Sequence, residues 1–396
     1  MTAPASPLRV AHIITQLELG GAQRNTLYTV GHLDRKSYEP ILICGQGGIL
    51  DEEAKAGSWP THFVRWLVRP VNPMKDLAAL VFLYRLLREI RPHIVHTHSS
   101  KAGILGRIAA YLAGVPVIIH TFHGFGFTPD QPGWLYRLFI WLERFCAMLS
   151  THLIFVSRDN EEEAQALGVG THKPRSLIRS GIAIREPPLI SSIREELRIP
   201  KEAWVVATVG NFKPQKNPMD IARTAKAVLE KDPAVHFLMV GDGDLRTAVE
   251  AYVQSEGIGN QVHFLGWRQD IPAILAASNC FLLTSLWEGL PRALVEAAVA
   301  RLPAVAYAVN GVKEILREGD TGFPVPPHQP EAAAEKILWL KGRPLEARQM
   351  GRKARAEVEK EFDIDEMVRQ QENLYQELYQ AVPLKAYYEP PWSKPS

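Results

Sequence analysis

Short apolar, β-branched runs alternate with longer stretches in which apolar positions recur every three or four residues, along most of the 396-residue chain. In the first half the strand-like runs are Arg9–Thr15, Pro40–Cys44, His62–Trp66, Ile94–Thr97, Val115–Thr121 and His152–Val156. Helix-like stretches fall between them near Ala22–Leu33, Lys75–Ile90, Ala102–Leu112, Trp134–Leu149 and Arg158–Leu167. The strand runs show no in/out alternation. That predicts strands buried on both faces, in a parallel sheet covered by helices.

The pattern then restarts. Trp204–Gly210, Val235–Gly241, Val262–Leu265, Cys280–Thr284 and Ala304–Ala306 read as strands. Helices are expected near Asn217–Glu230, Leu245–Glu256, Ile271–Ala277, Arg292–Ala300 and Val312–Leu316. Two doubly wound α/β domains in series follow, with 1–182 as the first and 183–363 as the second. The join is expected near Ile182–Ile199, where Pro187-Pro188 interrupts the periodicity. Helical spacing continues through Glu346–Phe362 and Ile364–Tyr379, and the Pro-rich segment 381–396 reads as a frayed tail. Ligands of open α/β sheets bind beyond the carboxyl ends of the strands, so the loops that follow strands hold the candidate chemistry.

Composition narrows the class. Apolar residues make up 46% and charged residues 22%, which excludes a disordered, collagen-like or coiled-coil chain. The net charge of +2 argues against a nucleic-acid partner. The first 181 residues carry 19 Lys and Arg against 14 Asp and Glu, and the remainder 26 against 29. This modest basic bias is compatible with phosphates or lipid headgroups and equally with ordinary scatter. Cys44, Cys146 and Cys280 are far apart, with neither metal spacing nor a disulfide framework, so a reduced cytoplasmic setting is expected. MTAPASPLRV does not read as a signal peptide, and the apolar stretch Trp134–Val156 is interrupted by Arg137, Glu143, Arg144 and His152.

In the first domain, Gly20-Gly21 lies between the first strand and its helix, where backbone can approach an anion. It is not the GxGxxG fingerprint, which disfavours a nicotinamide cofactor. HTHSSKAG follows the fourth strand. His96 and His98 share a strand face, but two histidines without a third ligand read as hydrogen-bonding groups. Lys101 opens a helix, where the dipole disfavours a cation unless an anion is near. His98, Ser99 and Lys101 are acceptor-side candidates. His123, in HTFHGFGF, stands just past the fifth strand and could bind a hydroxyl or phosphate or move a proton.

In the second domain, GNFKPQKN places Lys213 and Lys216 before a helix, where ammonium groups and a helix N-terminus can hold a diphosphate. Gly241 and Gly243 in VGDGDLR permit close backbone approach, and LGWRQD adds Gly266, Trp267 and Arg268. SLWEGLPRALVEA is the strongest signal. Glu288 precedes a helix and Glu296 lies about one turn inside it, with the backbone of Gly289 and Leu290 between them. Glu296 sits among Ala, Val and Leu, so burial there requires a partner.

These segments, in this order, resemble glycosyltransferase family 4, retaining enzymes of the GT-B fold, from Arg9 to about Tyr379; EGLPRALVEA looks like that family's E-x7-E motif. The resemblance implies two Rossmann-like domains facing across a cleft, with the helix at about 364–380 packed on the first. It implies that Glu288 binds hydroxyls of the transferred sugar, Gly289 and Leu290 contact sugar and diphosphate, and Glu296 binds the ribose. Lys216 would neutralise the diphosphate, Gly21 approach the phosphates, His123 sit beside the anomeric carbon, and the base lie near Gly266–Arg268. Gly241 is grouped with the donor-binding set. Many members carry Arg where this chain has Asn211, so their Arg/Lys clamp is incomplete, with Lys213 a possible substitute.

The implied reaction moves a sugar from a nucleotide-diphosphate donor to a hydroxyl with retention. Cations and helix N-termini can stabilise the leaving diphosphate. Asp242 and Asp244 are the nearest approach to a metal-binding pair, so no metal and no cofactor are expected. Aromatic and basic residues in the first domain, among them Trp59, Trp66, Arg69, Trp134, Arg137, Phe127 and Trp141, suggest either core or peripheral contact with a membrane. The latter, and the likeness to enzymes of bacterial surface polysaccharides, would suit a lipid-linked saccharide acceptor at the inner face of the cell membrane. The competing readings are a nucleotide-sugar 2-epimerase and a non-catalytic nucleotide-sugar-binding protein.

Overall fold

The computed structural model describes residues 7–126, 131–186, 188 and 191–382. Phe127, Pro187 and the segment from 383 onward therefore lie outside the described residues. Two compact units result. One comprises the chain up to Gly181 together with the chain from Ile364 on, and the other is Ile182–Asp363.

In the first unit the order is β1 (Leu8–Ile14), α1 (Gly21–His32), β2 (Tyr38–Cys44), α2 (Asp51–Ala56), β3 (Thr61–Phe63), α3 (Pro73–Ile90), β4 (Ile94–His98), α4 (Ser100–Ala113) and β5 (Val117–Phe122). Then come α5 (Gly133–Leu149), β6 (His152–Phe155), α6 (Arg158–Ala166) and β7 (Arg175–Leu177). The parallel sheet has the order β3-β2-β1-β4-β5-β6-β7, so it reverses direction between β1 and β4. One face packs Ala11, Ile13, Val95 and Ile118 against α3 and α4.

The second unit runs α7 (Ile193–Glu196), β8 (Trp204–Val209), α8 (Pro218–Leu229), β9 (Val235–Val240), α9 (Arg246–Ser255), β10 (Val262–Gly266) and α10 (Ile271–Ala276). It continues with β11 (Cys280–Leu283), α11 (Arg292–Val299), β12 (Ala304–Tyr307), β13 (Gly322–Val325), α12 (Pro330–Gly342) and α13 (Pro344–Glu361). Its parallel sheet, β10-β9-β8-β11-β12-β13, reverses between β8 and β11. The chain then re-enters the first unit as α14 (Ile364–Ala381). Ile364, Met367, Val368, Leu374 and Tyr375 recur at helical spacing and cover Leu8, Val10, Ile94 and Val117 on the other face of the first sheet.

Three expectations are corrected. Val312–Leu316 forms turns rather than a helix: Gly311 has φ +75°, and the Thr321 hydroxyl takes up Ile315 O and Arg317 N instead of leaving them to a helical ladder. The third strand stops at Phe63 because Val64 and Trp66 enter a turn. The edge strands β7 and β13 are too short, or too interrupted by Gly322 and Pro324, to be legible as strands.

Candidate functional site

In the second unit the sheet reverses where β8 and β11 end, and two loops meet there. The β8 loop carries Gly210-Asn211-Phe212 and a 3-10 turn at Pro214–Lys216. The β11 loop runs through residues 284–291 into α11. They are tied together: Leu286 N–H donates to Gln215 O at 2.8 Å, Gln215 Nε2 to Trp287 O at 3.0 Å, and Thr284 Oγ1 to Asn217 O at 2.9 Å. Across this seam the Lys216 ammonium forms an ion pair with Glu288 Oε1. The Glu288 side chain is only 7% exposed and that of Lys216 23%. A small cavity lined by Gly210, Asn211, Lys216, Pro218 and Thr284 opens beside the pair.

Two backbone N–H groups, of Gly289 and Leu290, have no acceptor among the described residues. Gly311 backs onto them, and a Cβ there would lie 2.1 Å from Gly289 O. The two carboxylates reverse the burial expected from their neighbours. Glu296 is 30% exposed and receives Arg292 Nε at 2.9 Å along one turn of α11, while Glu288 is the buried one. The apolar residues beside Glu296 face the core, and its own position faces outward. Pro291 stands at the N-cap of α11.

The other donor-side residues divide. Gly241 has φ +127°, and a Cβ there would stand 2.0 Å from Gly210 O, so its glycine is required by the packing of the β8 and β9 loops. Arg268 is held by Asp270 at 2.8 and 2.7 Å and by Glu196 at 2.8 Å, hydrogen bonds that raise its already high pKa. Asp242 accepts from Gly243 N at 2.7 Å and Arg246 Nη1 at 2.9 Å, which leaves it a loop anchor. Lys213 is exposed and does not line the cavity beside Lys216.

In the first unit His123 lies past the end of β5, partly buried, and its Nε2 is 3.3 Å from His98 Nδ1. His98 Nε2 is in turn 3.2 Å from His12 Nδ1. Burial lowers His12 to about 3 and His123 to about 4, and holds His98 well below its ordinary value, so all three are neutral near pH 7. Among the described residues, His12, His96 and His98 are the one group of three close enough to share a metal ion. His96, however, has both ring nitrogens engaged, Nδ1 with Tyr375 OH at 2.6 Å and Nε2 with Thr121 Oγ1 at 2.7 Å. Among the described residues no carboxylate joins the trio to balance a cation, so the donor set suits hydrogen bonding. His12 sits inside β1, away from any strand end, and sequence reasoning missed it.

Ser99 and Lys101 belong to a different place from His98. They line a cavity of about 630 Å³ at the carboxyl ends of β1 and β4. Its polar lining includes Thr15, Gln16, Arg69 and Asp76, and its apolar lining Ile104, Leu105, Leu135, Phe139 and Leu142. Lys101 meets the anion its helix position requires, Asp76, at 2.7 Å, and Arg69 pairs with Glu18 at 2.8 Å. Ser99 holds φ +63° and ψ +156°, a region that normally admits only glycine, at a strain of about 1–3 kcal/mol. Its hydroxyl bonds Thr15 Oγ1 at 2.8 Å and so links the ends of β1 and β4. Such strain concentrates at functional sites. Gly21 opens α1 after an extended Gly20, and a Cβ on Gly21 would touch nothing in the protein. Thr15 and Gln16 were also missed, although both follow a strand end and the strand-end rule could have found them; Arg69 was read only as part of a core or membrane-contact set.

Known proteins agree with this architecture. The family described as "Glycosyl transferase 4-like domain" matches residues 20–176, and that described as "Glycosyl transferases group 1" matches 190–357. The UDP-Gal:alpha-D-GlcNAc-diphosphoundecaprenol alpha-1,3-galactosyltransferase of Escherichia coli is 36% identical over 335 residues, 82% of this chain and 85% of that protein. The capsular polysaccharide biosynthesis glycosyltransferase CapM of Staphylococcus aureus is 23% identical, over 78% of this chain and 82% of its own. Anabaena HepE, solved with UDP and glucose, superposes with a TM-score of 0.80 at 20% identity over 93% of this chain and 100% of its own. Two parallel-sheet Rossmann-like units of this kind are the GT-B fold. The chain belongs to the group 1 and 4-like glycosyltransferases, and CapM, one of its relatives, is named for capsular polysaccharide biosynthesis.

Proposed function

We propose that the chain is a retaining, metal-independent family 4 enzyme that transfers a hexose, galactose in the first instance, from its UDP conjugate to a sugar on a polyprenyl diphosphate. The observation that carries the donor half is the Lys216–Glu288 pair at the β8/β11 reversal. A diphosphate would draw the ammonium from the carboxylate. Glu288 would then accept from sugar hydroxyls, and the N–H groups of Gly289 and Leu290 would donate to sugar or phosphate. Glu296, half-buried beside Arg292, is assigned to the ribose, and Gly21 to the phosphates. His123, neutral, is assigned to the reacting sugar. With Asp242 engaged by Arg246, charge growing on the leaving diphosphate falls to Lys216 and backbone N–H groups, and transfer is expected to persist in excess EDTA.

The acceptor half rests on the cavity of about 630 Å³ in the first unit, lined both by polar groups such as Gln16, Ser99 and Lys101 and by apolar residues of α4 and α5. A diphosphate joined to a prenyl chain combines the same two characters. Beside it α5 exposes Trp134 (71%), Leu138 (42%), Trp141 (59%) and Met148 (64%) at helical spacing, with Arg137 and Arg144 among them. Met74 and Leu77 of α3 are also exposed, and both helices pack on α4. Two interfacial tryptophans with flanking arginines suit peripheral contact with an anionic membrane. Among the described residues no helix is long and apolar enough to cross one. Trp59 and Trp66, by contrast, pack on the core.

Incubation with a panel of UDP-sugars and a synthetic GlcNAc-diphospho-lipid tests this reading. A hexose added to the lipid supports it. A new epimer of the nucleotide sugar would assign a 2-epimerase, and binding without turnover a non-catalytic protein.

A further inference from the structure

The buried rings of His12 and His98 and the half-buried ring of His123 form one chain of hydrogen bonds. His12 Nδ1 is 3.2 Å from His98 Nε2, and His98 Nδ1 is 3.3 Å from His123 Nε2. The His12 and His98 rings lie nearly parallel, at 7°. Each contact needs one proton between two nitrogens, and neutral His98 carries only one. If His98 donates through Nδ1 to His123, its Nε2 is bare and His12 must donate through Nδ1. If His98 donates through Nε2 to His12, its Nδ1 is bare and His123 must donate through Nε2. Mixed arrangements leave one contact with two protons or none. The three tautomers are therefore set together.

The far end decides which set forms. His12 Nε2 is buried with no partner. In the second arrangement it would be an N–H with no acceptor, and in the first a bare lone pair. Buried donors without partners are the rarer case in proteins. We propose that His12 and His98 are positioning residues that lock His123 in its Nδ1–H tautomer, so that His123 meets the substrate as a hydrogen-bond donor and not as a base. Nδ1 is the ring nitrogen of His123 with no partner among the described residues. The chain is no exit for a proton: a charge passed inward would end on His12, fully buried and without an acceptor. What it supplies is orientation and tautomer, a property whose loss in a serine-protease triad lowers turnover by several orders of magnitude.

The inference rests on the role proposed above for His123, but its first readout does not. Two-bond ¹⁵N correlation spectra of the full chain at pH 7 are expected to show His12, His98 and His123 neutral and protonated on Nδ1. In His98→Leu, His123 is expected to relax to a mixture dominated by Nε2–H. In His98→Asn, whose side-chain amide can still donate to His123 Nε2, the Nδ1–H form should return. The signals of His236 and His263, in the other unit, report that the fold is intact. An Nε2–H on His123 in the unmodified protein, or an Nδ1–H that survives His98→Leu, overturns the lock. For turnover, His98→Leu should lower kcat by ~10-fold or more with the donor KM little changed, and His98→Asn should recover most of it. Altered tautomers with unaltered kcat would leave the lock standing and refute the role of His123.

Discussion

Lys216 and Glu288, 72 residues apart in sequence, are ion-paired where β8 and β11 part, with the carboxylate almost entirely out of solvent. Each neutralises the other until a more highly charged partner arrives. Glu288→Gln keeps the shape and removes the charge, and is expected to lower kcat by at least ~10²-fold. Lys216→Ala should weaken UDP binding by about 1.5–3 kcal/mol, the worth of a charge-assisted hydrogen bond. Calorimetry with UDP and turnover at saturating donor measure the two. Unchanged UDP affinity in Lys216→Ala would place the phosphates elsewhere.

Gly241→Ala is expected to destabilise the second unit by about 2–4 kcal/mol, from a left-handed backbone and a Cβ driven into a carbonyl. The carbonyl is that of Gly210, 2.0 Å from where the Cβ would stand. The effect should appear in thermal unfolding. A melting temperature within a degree of the parent would contradict it.

Arg107 and Glu143 pair at 2.5 Å with side-chain exposures of 0% and 3%, joining α4 to α5. Glu143→Ala leaves a buried guanidinium unmatched and should cost about 3–5 kcal/mol. Replacing both partners by apolar residues of similar volume should recover most of that loss in denaturant unfolding. A double variant no more stable than Glu143→Ala would contradict the pairing argument.

Acidification should weaken the first unit. Burial lowers His12 to about 3 and His123 to about 4, while in the unfolded chain such rings titrate near their ordinary ~6.5. Between those values the unfolded state holds more protons, so stability falls as pH falls from about 6.5 towards 4 and is unaffected by these groups above that window. At pH 5 the loss is about 2 kcal/mol for the fully buried His12 and less for His123. Melting curves from pH 7 to 5 should show the decline, with a shallower slope in His12→Phe. Equal slopes would assign the acid sensitivity to other groups.

Periodicity made the strands and helices around both sheet reversals legible, because a strand buried on two faces leaves an uninterrupted apolar run. It failed where short edge strands and turns are held by tertiary hydrogen bonds, as at Arg175–Leu177 and Val312–Leu316. The site divided in the same way. Lys216, Glu288 and His123 were legible as candidates because they follow strand ends. The partner of Glu288 was not, since an ion pair across two loops leaves no spacing in the chain. His12 was hidden because a histidine inside a strand run reads as a core position; Ser99 was named as a candidate, but its strained backbone has no residue signature.

The stereochemistry of the product tests the central claim most directly. UDP-α-galactose and a GlcNAc-diphospho-lipid are incubated with the protein, and the new glycosidic bond is assigned by proton NMR. Retention predicts an α-galactoside, recognised by its small H1–H2 coupling. A β-galactoside, or galactose released to water with the lipid unchanged, would contradict the account.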